Sequence, residues 1–343
     1  MNKKIIHLFL PILLILISCE KHGKYEWENP SIFSINKLPP KAHFVAYETE
    51  KLAQINNPLE SKNYISLNGQ WKFKFSKTIK DRPDDFFEMG HNDTNWDKII
   101  VPGSWELQDW SYPIYLDEEY PFPVNPPFIP HKMNTVGSYK KRMKIPQEWL
   151  KKDVFLRLGS VRSACYVWFN GKYVGYAQGS KTPSEFDVTE FIQTGDNQVA
   201  IEVYRYSDGS YLEGQDTWRI SGLERDVSIY ARDKIRVDDF SINASLNDSY
   251  SEGLFSIEVD ILNSLKKDNK ISLRAKLYDP MRRNRTIFDS TKFVGIDSLS
   301  TLSINHKVRR VKAWSAETPY LYKLQIYLMK DDKLVETFTH QVG

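Results

Sequence analysis

The chain has 343 residues, 41% hydrophobic and 27% charged, which is ordinary material for about two globular domains. Its 47 basic and 44 acidic residues are interspersed and leave a formal net charge of +3, so no Lys/Arg block is available to track a phosphate backbone and nucleic acid is not an expected partner. The 9 Trp, 19 Tyr and 18 Phe suit β-structure, where flat rings pack on pleated surfaces.

The N-terminus has the pattern of an export signal. Lys3 and Lys4 form a positive region, and Ile5 to Ile17 is an apolar run broken only by His7 and Pro11, too short to span a bilayer. The closing Leu16-Ile17-Ser18-Cys19 resembles a bacterial lipobox, in which Cys19 is acylated and becomes the mature N-terminus; ordinary signal cleavage with an incidental cysteine is the alternative. Acylation on several chains would hold the protein firmly, since each buried methylene contributes about 0.8 kcal/mol. The expected location is therefore outside the cytoplasm, as an outer-membrane lipoprotein facing the periplasm or the cell surface. Cys165 is the other cysteine, so neither a disulfide framework nor a cysteine metal cluster is expected, and within Ser163-Ala164-Cys165-Tyr166-Val167-Trp168 it fits a small core hydrophobe.

Residues 20–62 are polar and punctuated by Asn29-Pro30, Pro39 and Pro40, which predicts an extended tether and wrapping arm. From Leu67 onward, short β-type runs alternate with turn signals. Gln70 to Phe75 and Val154 to Leu158 have period two, and further strands are predicted over 165–169, 199–206 and 226–230, giving an all-β sandwich over residues 63–233. Asn170-Gly171 predicts a type I′ hairpin, because both central residues of that turn need positive φ. A second pattern follows over 234–343. Phe255 to Ile261, Ile271 to Leu277 and Leu324 to Met329 alternate cleanly, and about seven strands in that length predict an immunoglobulin-like β-sandwich without its disulfide. The boundary falls near Ala231–Val237, and helix is scarce.

No Gly-rich phosphate loop, His-x-x-x-His pair or Gly-x-Ser-x-Gly elbow is present, and the seven His are scattered. Carboxylates are abundant, and glycoside hydrolysis needs only two of them about 5–9 Å apart, but spacing along strands does not identify such a pair. Two stretches are too rich in awkward residues for a plain scaffold: 113–130 and 207–226. The second crowds Asp208, Glu213, Asp216, Arg219, Glu224 and Arg225 together with Tyr211 and Trp218. Such a loop offers directional hydrogen bonds beside apolar faces, as a sugar or ion surface would. A charge-paired loop at a domain junction would look the same.

Those stretches carry a resemblance. Val101-Pro102-Gly103-Ser104-Trp105-Glu106-Leu107-Gln108, Pro113-Ile114-Tyr115, Tyr120-Pro121 and Val124 to Pro130 resemble the sugar-binding domain of family 2 β-galactosidases, as do Ser66 to Trp71, Phe169 to Tyr176 and Pro183 to Asp187. The most specific block is Tyr206 to Gly222, containing Leu212-Glu213-Gly214-Gln215-Asp216-Thr217-Trp218-Arg219; Ala313 to Tyr322 is similar to the family's immunoglobulin-like second domain. The likeness runs from about Asn29 to the end.

The resemblance implies a jelly-roll β-sandwich of the galactose-binding type, then an immunoglobulin-like sandwich, then a (β/α)₈ barrel that carries both catalytic glutamates and begins beyond Gly343. No catalytic residue is therefore expected within this chain, and alone it is expected to be inactive. The complete enzyme would be a retaining exo-β-galactosidase that removes terminal β-D-galactose. The resemblance also implies that Asp216 contacts the galactose hydroxyls and helps ligate a monovalent cation, Na⁺, while Mg²⁺ would belong to the barrel. A carboxylate suits both tasks as an acceptor-only, hard oxygen donor; a structural loop aspartate is the alternative. Asp117 falls where many members carry an asparagine facing the sugar, so it lacks the amide donor and adds a negative charge. Trp105, Trp110 and Trp218 are expected to pack rather than stack on sugar. The implied partners are a β-galactoside, the barrel, the membrane through Cys19, and further copies of the complete protein. Two alternatives remain: a stand-alone glycan-binding surface lipoprotein, and a family 2 enzyme for a glucuronide or mannoside.

Overall fold

Alternation of apolar and polar residues folds this chain into sheets. The computed structural model, which describes residues 24–116, 119–267 and 269–343, is 49% strand and 9% helix. The export segment with Cys19, and Asp117 in the first loop, lie outside the described residues.

The first sandwich has an antiparallel seven-stranded sheet in the order Ser34–Ile35, Lys172–Gln178, Ala164–Phe169, Gly195–Tyr204, Val136–Ile145, Gly69–Ser76, Asp97–Val101. Ser184–Asp187, Asp153–Leu158, Val227–Arg232 and Tyr64–Ser66 form the second sheet. One apolar cluster draws on both, with Trp71 and Phe73 from the larger sheet meeting Leu156, Phe186 and Ile229 from the smaller. Each such side chain contributes about 1.5–3 kcal/mol by leaving water. In the hairpin between Ala164–Phe169 and Lys172–Gln178, Asn170 has φ 50° and Gly171 φ 80°, the two positive values that the Asn-Gly pair predicts. Cys165 is free and fully buried, and burial pushes its thiol up to about 12, so it packs as a small hydrophobe.

The second sandwich pairs Ile235–Leu246, Glu252–Asn263 and Leu299–Arg309 in one sheet and Arg285–Ile296, Asn269–Asp279, Tyr322–Lys330 and Lys333–Val342 in the other. Every second residue of Glu252–Asn263 is buried, and these side chains meet Leu273, Ala275 and Leu324 of the facing sheet.

Charge locks the two sandwiches together. Asp153, at the start of a first-sandwich strand, accepts from Lys234, Arg236 and Ser264. Burial works against ionisation there, but the hydrogen bonds from Lys234 and Arg236 hold its carboxyl below the usual range. Beside it, Arg232 makes a two-pronged pair with Glu336, Nε–Oε2 3.0 Å and Nη2–Oε1 2.7 Å.

The arm preceding Lys62 touches both sandwiches. Tyr47 exchanges backbone hydrogen bonds with Thr337, and the arm contains a helix, Glu50–Ile55, that its sequence pattern does not announce. Thr49 caps this helix through the Leu52 amide, Asn56 ends it in the left-handed conformation, and Thr339 Oγ1 donates to the Ala53 carbonyl at 3.0 Å.

Candidate functional site

The 207–226 stretch is seated on a small three-stranded sheet of Gly103–Ser104, Gly222–Leu223 and Val161–Arg162. Gly222 is required at this seam. Its φ is +124°, and a Cβ there would lie 2.8 Å from the Gly103 carbonyl oxygen. Next to it, the Trp105 amide donates to the Ser221 carbonyl at 2.8 Å, and the Ser221 amide donates to Glu106 Oε2 at 2.9 Å. Farther out, Ile114 and Arg219 form an antiparallel bridge.

That bridge sets the exposure of its neighbours. Arg219 turns inward, 7% exposed, and its guanidinium donates to the carbonyls of Glu213 at 2.7 Å and Gln215 at 3.4 Å. It thereby organises the 213–219 loop from beneath. Asp216 and Trp218 are consequently turned outward. Asp216 is exposed and accepts from the Tyr115 hydroxyl; Trp218, 56% exposed, lies 5.3 Å from the Tyr115 ring. A carboxylate thus stands beside two accessible aromatic faces, the combination that a pyranose uses: hydroxyls to the acceptor, C–H faces to the rings.

The sequence-predicted residues fare differently. Trp105 is fully buried between Phe73 and Phe75, and Trp110 is part-buried against Phe73, so both pack. Trp218 departs from the packing expectation: it is exposed beside Arg219, which turns inward. The crowded carboxylates are mostly committed elsewhere. Glu213 accepts from the Ser180 amide and hydroxyl, Glu224 pairs with Lys181 at 2.8 Å, and Asp208 is 8% exposed and accepts from Gln178 and the Gly209 amide. Burial raises the carboxyl of Asp208 above its ordinary range. It does the same to Glu106, where it outweighs the Ser221 amide and Arg205. Beneath the rim a cavity of about 20 Å³, lined in part by Arg162, Arg205 and Arg219, has room for a single water and none for a monosaccharide.

For a cation, Asp216 supplies the right kind of oxygen but not a full set. Among the described residues no group of three or more His, Cys, Asp or Glu is placed to hold a metal ion. Sequence reasoning did not single out Tyr115, which stands 101 residues from Asp216. Tyr211, one of the residues crowded in the second stretch, donates its hydroxyl to the Phe128 carbonyl at 2.7 Å and accepts from the Asn125 amide at 3.1 Å, joining the two stretches.

Comparison with known proteins matches this architecture twice. Residues 64–233 match the model described as glycosyl hydrolases family 2, sugar binding domain, and residues 235–343 match glycosyl hydrolases family 2. A β-galactosidase of Priestia megaterium is 37% identical over 329 residues, 94% of this chain and 32% of the relative. A β-galactosidase of Halalkalibacterium halodurans is 35% identical over 328 residues with the same coverages. The chain thus spans about a third of the length of the curated relatives it matches. Among solved structures, Bacteroides uniformis β-glucuronidase 2 superimposes with a TM-score of 0.67 at 20% identity, covering 82% of this chain and 32% of that one, a likeness of fold.

Proposed function

The chain belongs to glycosyl hydrolase family 2, and on that premise we propose that it is the sugar-binding front portion of a retaining β-galactosidase, supplying one wall of the galactosyl subsite. The observation that carries the reading is the exposed constellation of Asp216, Tyr115 and Trp218. Asp216 accepts hydrogen bonds from galactose hydroxyls and offers an oxygen to Na⁺, whose remaining ligands come from outside this chain. Asp117 is a second sugar-facing position. The identity of more than a third to two β-galactosidases along almost the whole chain favours galactoside over other β-glycosides.

A rim is not a complete site. Tyr115, Val124, Leu212 and Trp218 in these two stretches, with Leu107 and Tyr112 just before the first, are exposed apolar or aromatic side chains, as expected of a surface that another domain covers. The catalytic carboxyls and Mg²⁺ therefore belong to that further domain, and the isolated chain does not turn over substrate. Cys19 is acylated, which holds the protein at the outer membrane, and the complete protein self-associates. Transfer of the protein from the membrane to the soluble fraction on Cys19→Ser is the measurement for the anchor.

The decisive experiment measures hydrolysis of a nitrophenyl β-galactoside by the 343-residue chain alone and by the chain joined to the rest of a family 2 enzyme. The chain alone gives none. In the joined protein, Asp216→Ala raises KM tenfold or more, because a hydrogen bond to a charged group contributes about 1.5–3 kcal/mol. Turnover by the chain alone that disappears when one of its own Glu is substituted would refute the proposal, and so would an unchanged KM in Asp216→Ala.

A further inference from the structure

The segment that precedes the first sandwich makes contacts for which a tether has no use. Trp27 is 1% exposed and stacks between Tyr25 at 5.1 Å and Tyr204 at 5.4 Å, with the His131 ring also 5.1 Å away. Glu28 is 3% exposed; its Oε1 accepts from the Ile129 amide at 3.1 Å and lies 3.0 Å from His131 Nε2. The helical turn Glu26–Glu28 packs directly on the turn Asp208–Tyr211. Glu26 accepts from the Tyr166 hydroxyl, and the Phe33 carbonyl accepts from the Gln178 amide at 3.0 Å. Gln178 in turn donates to Asp208 at 2.7 Å.

These contacts converge on the two loops that carry the rim. Tyr211 ties them to each other through Phe128 and Asn125, and the Tyr120 hydroxyl donates to the Tyr211 carbonyl at 2.9 Å. Neither loop is held by an extended ladder, so its backbone groups depend on side-chain partners for position. A buried carboxylate is a costly way to fill space, because it must be fully paired to be tolerated. Its worth lies in direction: only an acceptor at this point captures the Ile129 amide.

We propose that Glu28, backed by Trp27, is a positioning residue that fixes the 119–131 loop and the Asp208–Tyr211 turn, and through them the placing of Tyr115 and Asp216. The functional consequence rests on the sugar-binding reading above; the mechanical claim does not. Hydrogen exchange of the 343-residue chain, followed peptide by peptide, tests it. Glu28→Ala raises exchange at least tenfold in 119–131 and 207–218 and leaves Glu252–Asn263 unchanged. Glu28→Gln, which keeps a carbonyl oxygen for the Ile129 amide, restores protection to within about twofold. Tyr211→Phe loosens the same two peptides, and the double variant Glu28→Ala/Tyr211→Phe is no looser than Glu28→Ala, because both residues act through one circuit. Unchanged exchange in Glu28→Ala, a uniform rise across both sandwiches, or a Gln variant as loose as the Ala variant overturns the proposal. Since no sugar is present, an unchanged KM in Asp216→Ala of the joined enzyme would sink the proposed function and leave this result standing.

Discussion

Removing Glu336 should uncouple the two sandwiches at large cost. Glu336 is 4% exposed and receives Arg232 Nε at 3.0 Å, Arg232 Nη2 at 2.7 Å and the Val237 amide at 2.7 Å. Burial alone would lower the pKa of Arg232, but the charge of Glu336 and its hydrogen bonds more than reverse this, so the guanidinium stays ionised in a dry place. Glu336→Ala leaves that charge with the Val237 carbonyl at 2.8 Å, the Phe44 ring at 4.9 Å and the weaker pull of the Asp238 carboxylate as its company. Stranding one member of a buried pair costs about 3–5 kcal/mol. The orphaned Val237 amide is worth about 1–3 kcal/mol by itself and overlaps with that figure, since both losses come from one carboxylate. Urea denaturation followed by tryptophan fluorescence should therefore show a loss of about 3–5 kcal/mol. The double variant Arg232→Met/Glu336→Leu removes both charges and should return to within about 2 kcal/mol of the parent, the remaining deficit being the amide. A single-variant loss under about 1 kcal/mol, or a double variant less stable than the single, would refute the reasoning.

Two further outcomes separate packing from surface roles. Trp105→Ala, which empties a fully buried site between Phe73 and Phe75, should cost about 3–5 kcal/mol, whereas Trp218→Ala on the exposed rim should change stability by less than about 1 kcal/mol; equal losses in urea denaturation would contradict both placements. Asp208 carries a pH signature: burial, with a smaller contribution from Glu28, raises its folded-state pKa, so the folded state binds more protons than the unfolded chain above about pH 4 and stability falls as pH rises through the raised value. Asp208→Asn keeps an oxygen for Gln178 and the Gly209 amide, and should remove that fall and gain stability relative to the parent between pH 5 and pH 8. A parent that gains stability faster than the variant over this interval would overturn the assignment.

What the sequence made legible was set by local periodicity. Gln70 to Phe75 alternates, so its facing is fixed before any partner is known, and the strand Gly69–Ser76 indeed buries Trp71 and Phe73 on one side. The Asn170-Gly171 turn was readable for the same reason, being a property of two adjacent residues. Contacts across loops obey no such period. Tyr115 meets Asp216 and Glu28 meets Ile129, each across 101 residues, because the sheet order returns those segments to one end. Trp218 follows no such rule: a tryptophan is usually buried, but here the neighbouring Arg219 occupies the inward place by satisfying backbone carbonyls. The helix Glu50–Ile55 escaped notice because it is too short to display a period and is stabilised by its caps and its contact with Lys333–Val342.

In the same geometry the acidic residues around Asp216 fasten neighbouring segments into one surface. A retaining pair needs two carboxyls about 5–5.5 Å apart, both free to face the scissile linkage. Within the 207–226 stretch, Glu213 is held by Ser180, Glu224 by Lys181, Asp226 by Asn68 at 2.9 Å, and Asp208 is buried against Gln178. Each carboxylate except Asp216 is engaged in fastening one segment to another, and Asp216 itself is oriented by Tyr115. Four fastened carboxylates beneath one presented carboxylate make a rigid rim, which favours affinity by sparing the ordering cost on binding. Such an arrangement suits the sugar wall proposed above; cleaving a glycoside would require a second free carboxyl facing it.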